Sequence, residues 1–309
     1  MKKLYTFCLL LFFANTFLHA QIKKVCVTID DLPTVVYHVA SEEYKLELTK
    51  NIVKTLKKNR VPAIGFVNEV KLYENGNVSQ EEVNLLETWL KDGLELGNHT
   101  YSHLSYHNTS FIAFTDNIIE GEKIDKELAK KYNTEYKYFR HPFLNIGKTK
   151  DAADSLTQFL KEHHYIASPV TIDNQDYLFA QKYEQALLKE DKDEMEKVAN
   201  AYLEHTKKKI DYYEMLSEKT FKRQIAQTLL IHANKLNADY LADIIKIFEK
   251  RDYLFISQTE VLKDKAYSEP ITKYGPWGIS WLERWVMSKG TNKNLLKLNP
   301  EVPAFIAGE

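Results

Sequence analysis

An α/β fold built on a parallel barrel is predicted by two observations. Short apolar runs alternate with stretches of helical periodicity, and acidic or imidazole side chains fall just after several of those runs. The runs lie at residues 25–29, 63–67, 94–96, 136–139, 165–167, 228–231 and 253–256. Each is short and bounded by polar residues, Gly or Pro, as strands are. Between them, residues 42–58, 81–91, 118–131, 149–162 and 238–250 repeat apolar positions at helical spacing. Seven strands joined by helices point to a parallel barrel, whose chemistry collects at the strand C-termini.

The first run, Val25 to Ile29, ends in the adjacent acids Asp30 and Asp31. Strand side chains alternate, so the two carboxylates diverge unless the backbone turns, and Leu32-Pro33 offers such a turn. One acid can then bind a metal while its neighbour handles protons, although a bare Asp-Asp also fits an Asx-turn. After residues 94–96 comes Gly97-Asn98-His99-Thr100-Tyr101-Ser102-His103. On one helical turn, His99 and His103 would face one ion, and Asp31 would complete two imidazoles and a carboxylate with positions left open for water. His107 continues the spacing but would lie too far along a helix to share that ion.

Thr28-Ile29-Asp30-Asp31, His99-Thr100-Tyr101-Ser102-His103 and Arg140-His141-Pro142-Phe143 together resemble the polysaccharide deacetylases, the NodB-homology carbohydrate esterases of family 4. Asp173-Asn174-Gln175-Asp176-Tyr177 is similar to the family's Asp-x-x-Asp-Trp, and Leu230-Ile231-His232 to its Leu-x-His. The similarity runs from about Val25 to Leu262 in the family's motif order. It implies a distorted (β/α)7 barrel, with Asp31, His99 and His103 as metal ligands. Zinc suits that ligand set; cobalt, nickel and iron(II) suit it too.

The resemblance also implies roles for the remaining residues. Asp30 is the general base, paired with Arg140, whose charge favours the ionised carboxylate. His232 is the general acid, oriented and kept protonated by Asp176. Leu230 lines the acetyl pocket, Phe143 offers a backbone N–H to the oxyanion, and Tyr177 stands in the wall where the family has tryptophan. His141 departs from the proline usual at its position.

Residues 1–20 read as a secretory signal, with Lys2 and Lys3 before an apolar core and Ala20 at the cut. An exported protein, periplasmic or secreted and without a stable membrane anchor, is expected. Of the two cysteines, Cys8 leaves with the signal, so Cys26 has no intrachain partner. A formal net charge of −1, with lysines spread rather than massed, argues against nucleic acid as a partner. The barrel is expected over 21–267. It includes a helical insertion at about 178–222, read as a solvated hairpin rather than a lid. Residues 268–309 form an extension in which Trp277, Trp281 and Trp285 recur every four residues as one helical face, expected to pack on the barrel. The oligomeric state is not legible.

These expectations converge on a metal-dependent hydrolase that removes N- or O-acetyl groups from a glycan, peptidoglycan or a chitin-like oligomer first. Two alternatives stay open: an amidase of the same barrel acting on a small non-sugar molecule, and a non-catalytic glycan-binding barrel.

Overall fold

The computed structural model describes residues 22–308. The expected signal segment, with Cys8 and Ala20, lies outside the described residues. The strands are β1 (Lys23–Leu32), β2 (Ala63–Val67), a small hairpin of β3 (Tyr73–Glu74) and β4 (Asn77–Val78), β5 (Glu95–Asn98), β6 (Tyr138–Phe139), β7 (Ile166–Ala167), β8 (Ile172–Asp173), β9 (Gln227–His232) and β10 (Tyr253–Phe255). The main sheet runs β7-β6-β5-β2-β1-β9-β8, with β10 against the start of β1, and every pairing in it is parallel. It is a curled half-barrel. β7 and β8 are not bonded to each other; beside that gap the Trp281 N–H donates to the Val170 carbonyl (2.7 Å).

Helices cover the sheet: α1 (Glu42–Lys58), α2 (Gln80–Lys91), α3 (Phe111–Glu120), α4 (Lys123–Lys131), α5 (Lys150–Glu162), α6 (Asp176–Leu187), α7 (Lys192–Phe221), α8 (Lys235–Glu249), the short α9 (Gln258–Val261) and α10 (Trp281–Ser288). Most start at a side-chain cap. Ser41, Ser79, Ser110, Thr149, Asp191 and Asn234 each accept an N–H from the first turn of the helix that follows. The central strands β1, β2 and β9 are buried on both faces, which is why they read as continuous apolar runs. No described helix is long and apolar enough to cross a membrane.

Four expectations need correction. The single helix expected over 118–131 is two, α3 and α4, because the chain breaks at Gly121, where an added Cβ would strike the Thr100–Tyr101 backbone (2.4 Å). Strand β8 escaped notice because only two residues of it pair, too few for periodicity. The insertion is not a solvated hairpin: Phe179, Tyr183, Val198, Tyr202, Ile210, Tyr213 and Leu216 lie in the main core. Apart from the buried Glu184 and Lys209, its charged residues mostly occupy the other face, which made it read as solvated. Finally, Trp277 is not helical. Ser280 and Glu283 form a capping box that starts α10 at Trp281, so only Trp281 and Trp285 share its buried face.

Candidate active site

Strand β1 delivers both acids by a bulge. Ile29 stands opposite Gly65 and Leu32 opposite Val67, so β1 uses three steps where β2 uses two. An extra residue of this kind re-aims side chains. Asp31 takes the left-handed conformation (φ 64°), and both carboxylates line the same cavity. Lys71, just beyond β2, fixes the bulge by donating to the Asp31 carbonyl (2.6 Å) and the Thr34 carbonyl (3.2 Å).

His99 and His103 do not sit on a helix; they belong to a loop leaving β5. Thr100 (φ 68°) and His103 (φ 54°) are both left-handed, and the turn is tied by side chains. Asn98 accepts the Thr100 N–H (2.7 Å), Thr100 Oγ1 accepts the His103 N–H (3.0 Å), and Asn68 donates to the His99 carbonyl (2.8 Å). The rings end 4.7 Å apart, centroid to centroid. Asp31 Oδ1 lies 3.4 Å from His99 Nε2 and 3.5 Å from His103 Nε2, and one ligand atom from each residue falls within 4.8 Å of the others.

The donor set fits a divalent cation. His99 Nδ1 contacts the Arg140 carbonyl (2.9 Å), which requires a proton on Nδ1 and leaves the Nε2 lone pair facing Asp31. Asp31 Oδ1 is buried without a hydrogen-bond partner, an expensive condition unless something positive binds there. Burial lowers the tendency of His99 and His103 to ionise, so both imidazoles stay neutral, as ligands must. Burial pushes the Asp31 carboxyl up, but Lys71, His103 and His99 more than offset it and hold it below the usual carboxylate range.

Asp30 is 2% exposed, and its Oδ1 is 3.8 Å from Arg140 Nε, an ion-pair rather than hydrogen-bond distance. Its Oδ2 is 3.7 Å from His99 Nε2. Burial drives Asp30 up to about 7, against the pull of Arg140 and His232. Arg140, fully buried at the end of β6, donates from Nη2 to Thr28 (2.7 Å) and Ser168 (3.3 Å), and its guanidinium covers the Phe66 ring at 4.7 Å.

Across the cavity, His232 ends β9, in register with Asp30. Its Nδ1 is 2.7 Å from Asp176 Oδ1. Asp176 opens α6, and its Oδ2 accepts from the His232 N–H (2.9 Å), Asn234 (2.8 Å) and Asn237 (2.6 Å). Burial opposes a charged His232, but the Asp176 charge and hydrogen bond prevail and raise it to about 10. Tyr177 meets the His232 ring edge-on at 5.9 Å, and Leu230 and Asp173 line the cavity nearby.

The cavity has a volume of about 590 Å³ and opens to solvent. It brings together Asp30, Asp31, His99, His103, Phe143, Tyr177, Leu230 and His232, with Arg140 and Asp176 directly behind. Phe143 (φ 54°) leans edge-on against His103 at 4.4 Å. His107 is outside; its Nε2 accepts the Gly147 N–H (3.3 Å). Sequence reasoning missed Lys71, Asn234, Asn237 and Gly278. Asn234 and Asn237 carried a signal, an Asn-x-x-Asn opening a helix just after the strand-end histidine. Lys71 carried none.

Residues 19–160 match the model of the polysaccharide deacetylase family, a family of hydrolases. The stretch carries Asp30, Asp31, His99, His103 and Arg140. Among solved structures, the fold is similar to a carbohydrate esterase family 4 pseudoenzyme from Bacillus anthracis (TM-score 0.52, 16% identity, 79% of this chain and 67% of the other). A mutant pseudoenzyme of that family with restored activity is similar to the same degree (0.52, 17%, 79% and 69%). So is a mutant of the peptidoglycan deacetylase PdaC from Bacillus subtilis (0.51, 19%, 79% and 93%). These likenesses are of fold. No curated protein is matched by the sequence.

Proposed function

We propose that this protein is an exported metal-dependent deacetylase that hydrolyses N- or O-acetyl groups on a glycan. Peptidoglycan or a chitin-like oligomer is the first substrate class, and zinc the first metal. One observation carries the reading: a three-ligand cluster, Asp31 with His99 and His103, shares one cavity with an ion-paired carboxylate, Asp30, and an imidazole held by a buried carboxylate, His232 on Asp176.

When bound, a divalent cation polarises the acetyl carbonyl and makes water a better acid. Asp30 takes the proton of the attacking water, and Arg140 holds that carboxylate in place. As the bond from acetyl carbon to nitrogen or oxygen breaks, His232 gives its proton to the leaving amine or alcohol, and acetate departs. Asp176 orients His232 for that transfer and keeps it protonated until then. Leu230 offers an apolar wall to the acetyl methyl, and the Phe143 backbone N–H is assigned to the oxyanion.

A fold shared with a pseudoenzyme leaves catalysis to be argued from residues. A sugar-binding barrel has no use for a charged acid and an ion-paired base facing each other across a cavity. The test is acetate release from a panel of acetylated peptidoglycan, chitin and xylan fragments by stripped protein reloaded with defined metals. Release from a glycan, dependent on added metal, is expected. Release only from small non-sugar amides would give the reaction to the amidase alternative, and no release with any metal would leave a binding barrel.

A further inference from the structure

We propose that the segment after the barrel also touches substrate: Trp277 and Gly278 form a wall for the sugars flanking the acetylated one, with Arg284 as the residue that positions it. The proposal rests on the glycan reading above. Gly278 lines the catalytic cavity, although it lies beyond the last barrel strand. A Cβ there would stand 2.5 Å from the Phe143 carbonyl oxygen, so only glycine lets the two loops meet this closely.

Arg284 joins the same two loops from behind. It is fully buried, and its Nη2 donates both to the Leu144 carbonyl (2.9 Å) and to the Trp277 carbonyl (2.7 Å). Burying a guanidinium is expensive, and an apolar side chain would fill the space as well. What the guanidinium adds is a fixed separation between the cavity loop and the Trp277–Gly278 wall.

Trp277 differs from its two companions. Trp281 and Trp285 are 7% and 1% exposed, whereas Trp277 keeps 36%, its indole resting against Gly275, where an added Cβ would meet the ring at 2.6 Å. Packing of the extension is already served by Trp285, edge-on to Phe221 and Tyr267. The exposed indole stands next to the cavity-lining Gly278, and Phe143, Tyr177 and Tyr37 are further exposed aromatics lining the cavity. Aromatic faces beside a polar site suit the C–H faces of sugar rings.

The test compares acetate release from the monomer and the tetramer of N-acetylglucosamine, and from the panel above, by wild type, Trp277→Ala, Trp277→Phe and Arg284→Lys. Trp277→Ala is expected to raise KM for the tetramer about tenfold, as loss of one stacking contact would, with kcat within about twofold and the monomer KM unmoved. Trp277→Phe should recover part of the loss. Arg284→Lys should reproduce the KM effect while metal content stays at the wild-type level; thermal melting checks that it is folded. An active wild type whose tetramer KM is unmoved in Trp277→Ala overturns the proposal alone. A wild type inactive on every glycan overturns the glycan reading and this proposal with it.

Discussion

The two sides of the cavity are built in opposite ways. On the acid side, both Asp176 oxygens are engaged: Oδ1 by the His232 ring, and Oδ2 by the His232 N–H, Asn234 and Asn237. On the metal side, Asp30 Oδ1 and Asp31 Oδ1 are buried without a hydrogen-bond partner, and Asp31, Thr100 and His103 all hold left-handed backbone. Aspartate and histidine tolerate that conformation; a β-branched threonine rarely does. Each such residue costs roughly 1–3 kcal/mol. One side has its hydrogen bonds complete as folded, and the other leaves carboxylate oxygens without a hydrogen bond, a deficit that a bound cation would fill.

That contrast orders the expected effects. The largest belongs to Asp31→Asn, which should lose both metal and turnover, while Asp30→Asn keeps metal and loses turnover alone, by about 10²–10⁴. Metal analysis beside acetate release separates the two. If Asp30→Asn empties the site and Asp31→Asn does not, the roles are exchanged. On the acid side, His232→Ala should slow the reaction by a similar 10²–10⁴ with full metal content. A fast His232→Ala enzyme would remove it as the acid.

A smaller effect is expected in the pH profile. In the proposed mechanism Asp30 acts deprotonated and His232 protonated, so activity should rise through an acid limb and fall through an alkaline one; without a cation the two groups stand at about 7 and about 10. A bound cation adds positive charge and moves both limbs to lower pH. Asp176→Asn removes the charge that raises His232, so the alkaline limb should move further down. An unmoved limb would assign it to water on the metal or would make Asp173 the partner, and the same profile on Asp173→Asn separates those cases. The smallest effect is on stability: zinc at a hundredfold excess over its Kd should add about 2.7 kcal/mol to the folded state, read as a rise in Tm. His103→Ala should abolish that rise.

Strand ends and loops differed in how far they could be read from sequence. The strand-end positions of Asp30, Asp31 and His232 were legible because each ends an apolar run, and the (β/α) alternation set those ends at one face. The geometry of His99 and His103 was not. A four-residue spacing suggests a helix, whereas a loop tied by Asn98, Thr100 and Asn68 brings the rings together, and such side-chain-to-backbone ties have no period to find. Lys71 was hidden for the same reason: it supports a bulge through carbonyls, which any sequence supplies. The insertion was misjudged because α7 buries Tyr202, Lys209 and Tyr213 among many exposed charges, and mean polarity conceals a narrow buried stripe.

The most direct measurement is a calorimetric titration of zinc into stripped protein, run on wild type, His99→Ala and His103→Ala. One ion bound per wild-type chain is expected, with binding lost in either variant, because two remaining ligands cannot hold the cation in the same geometry. Undiminished binding in either variant, or none in the folded wild type, would contradict the account.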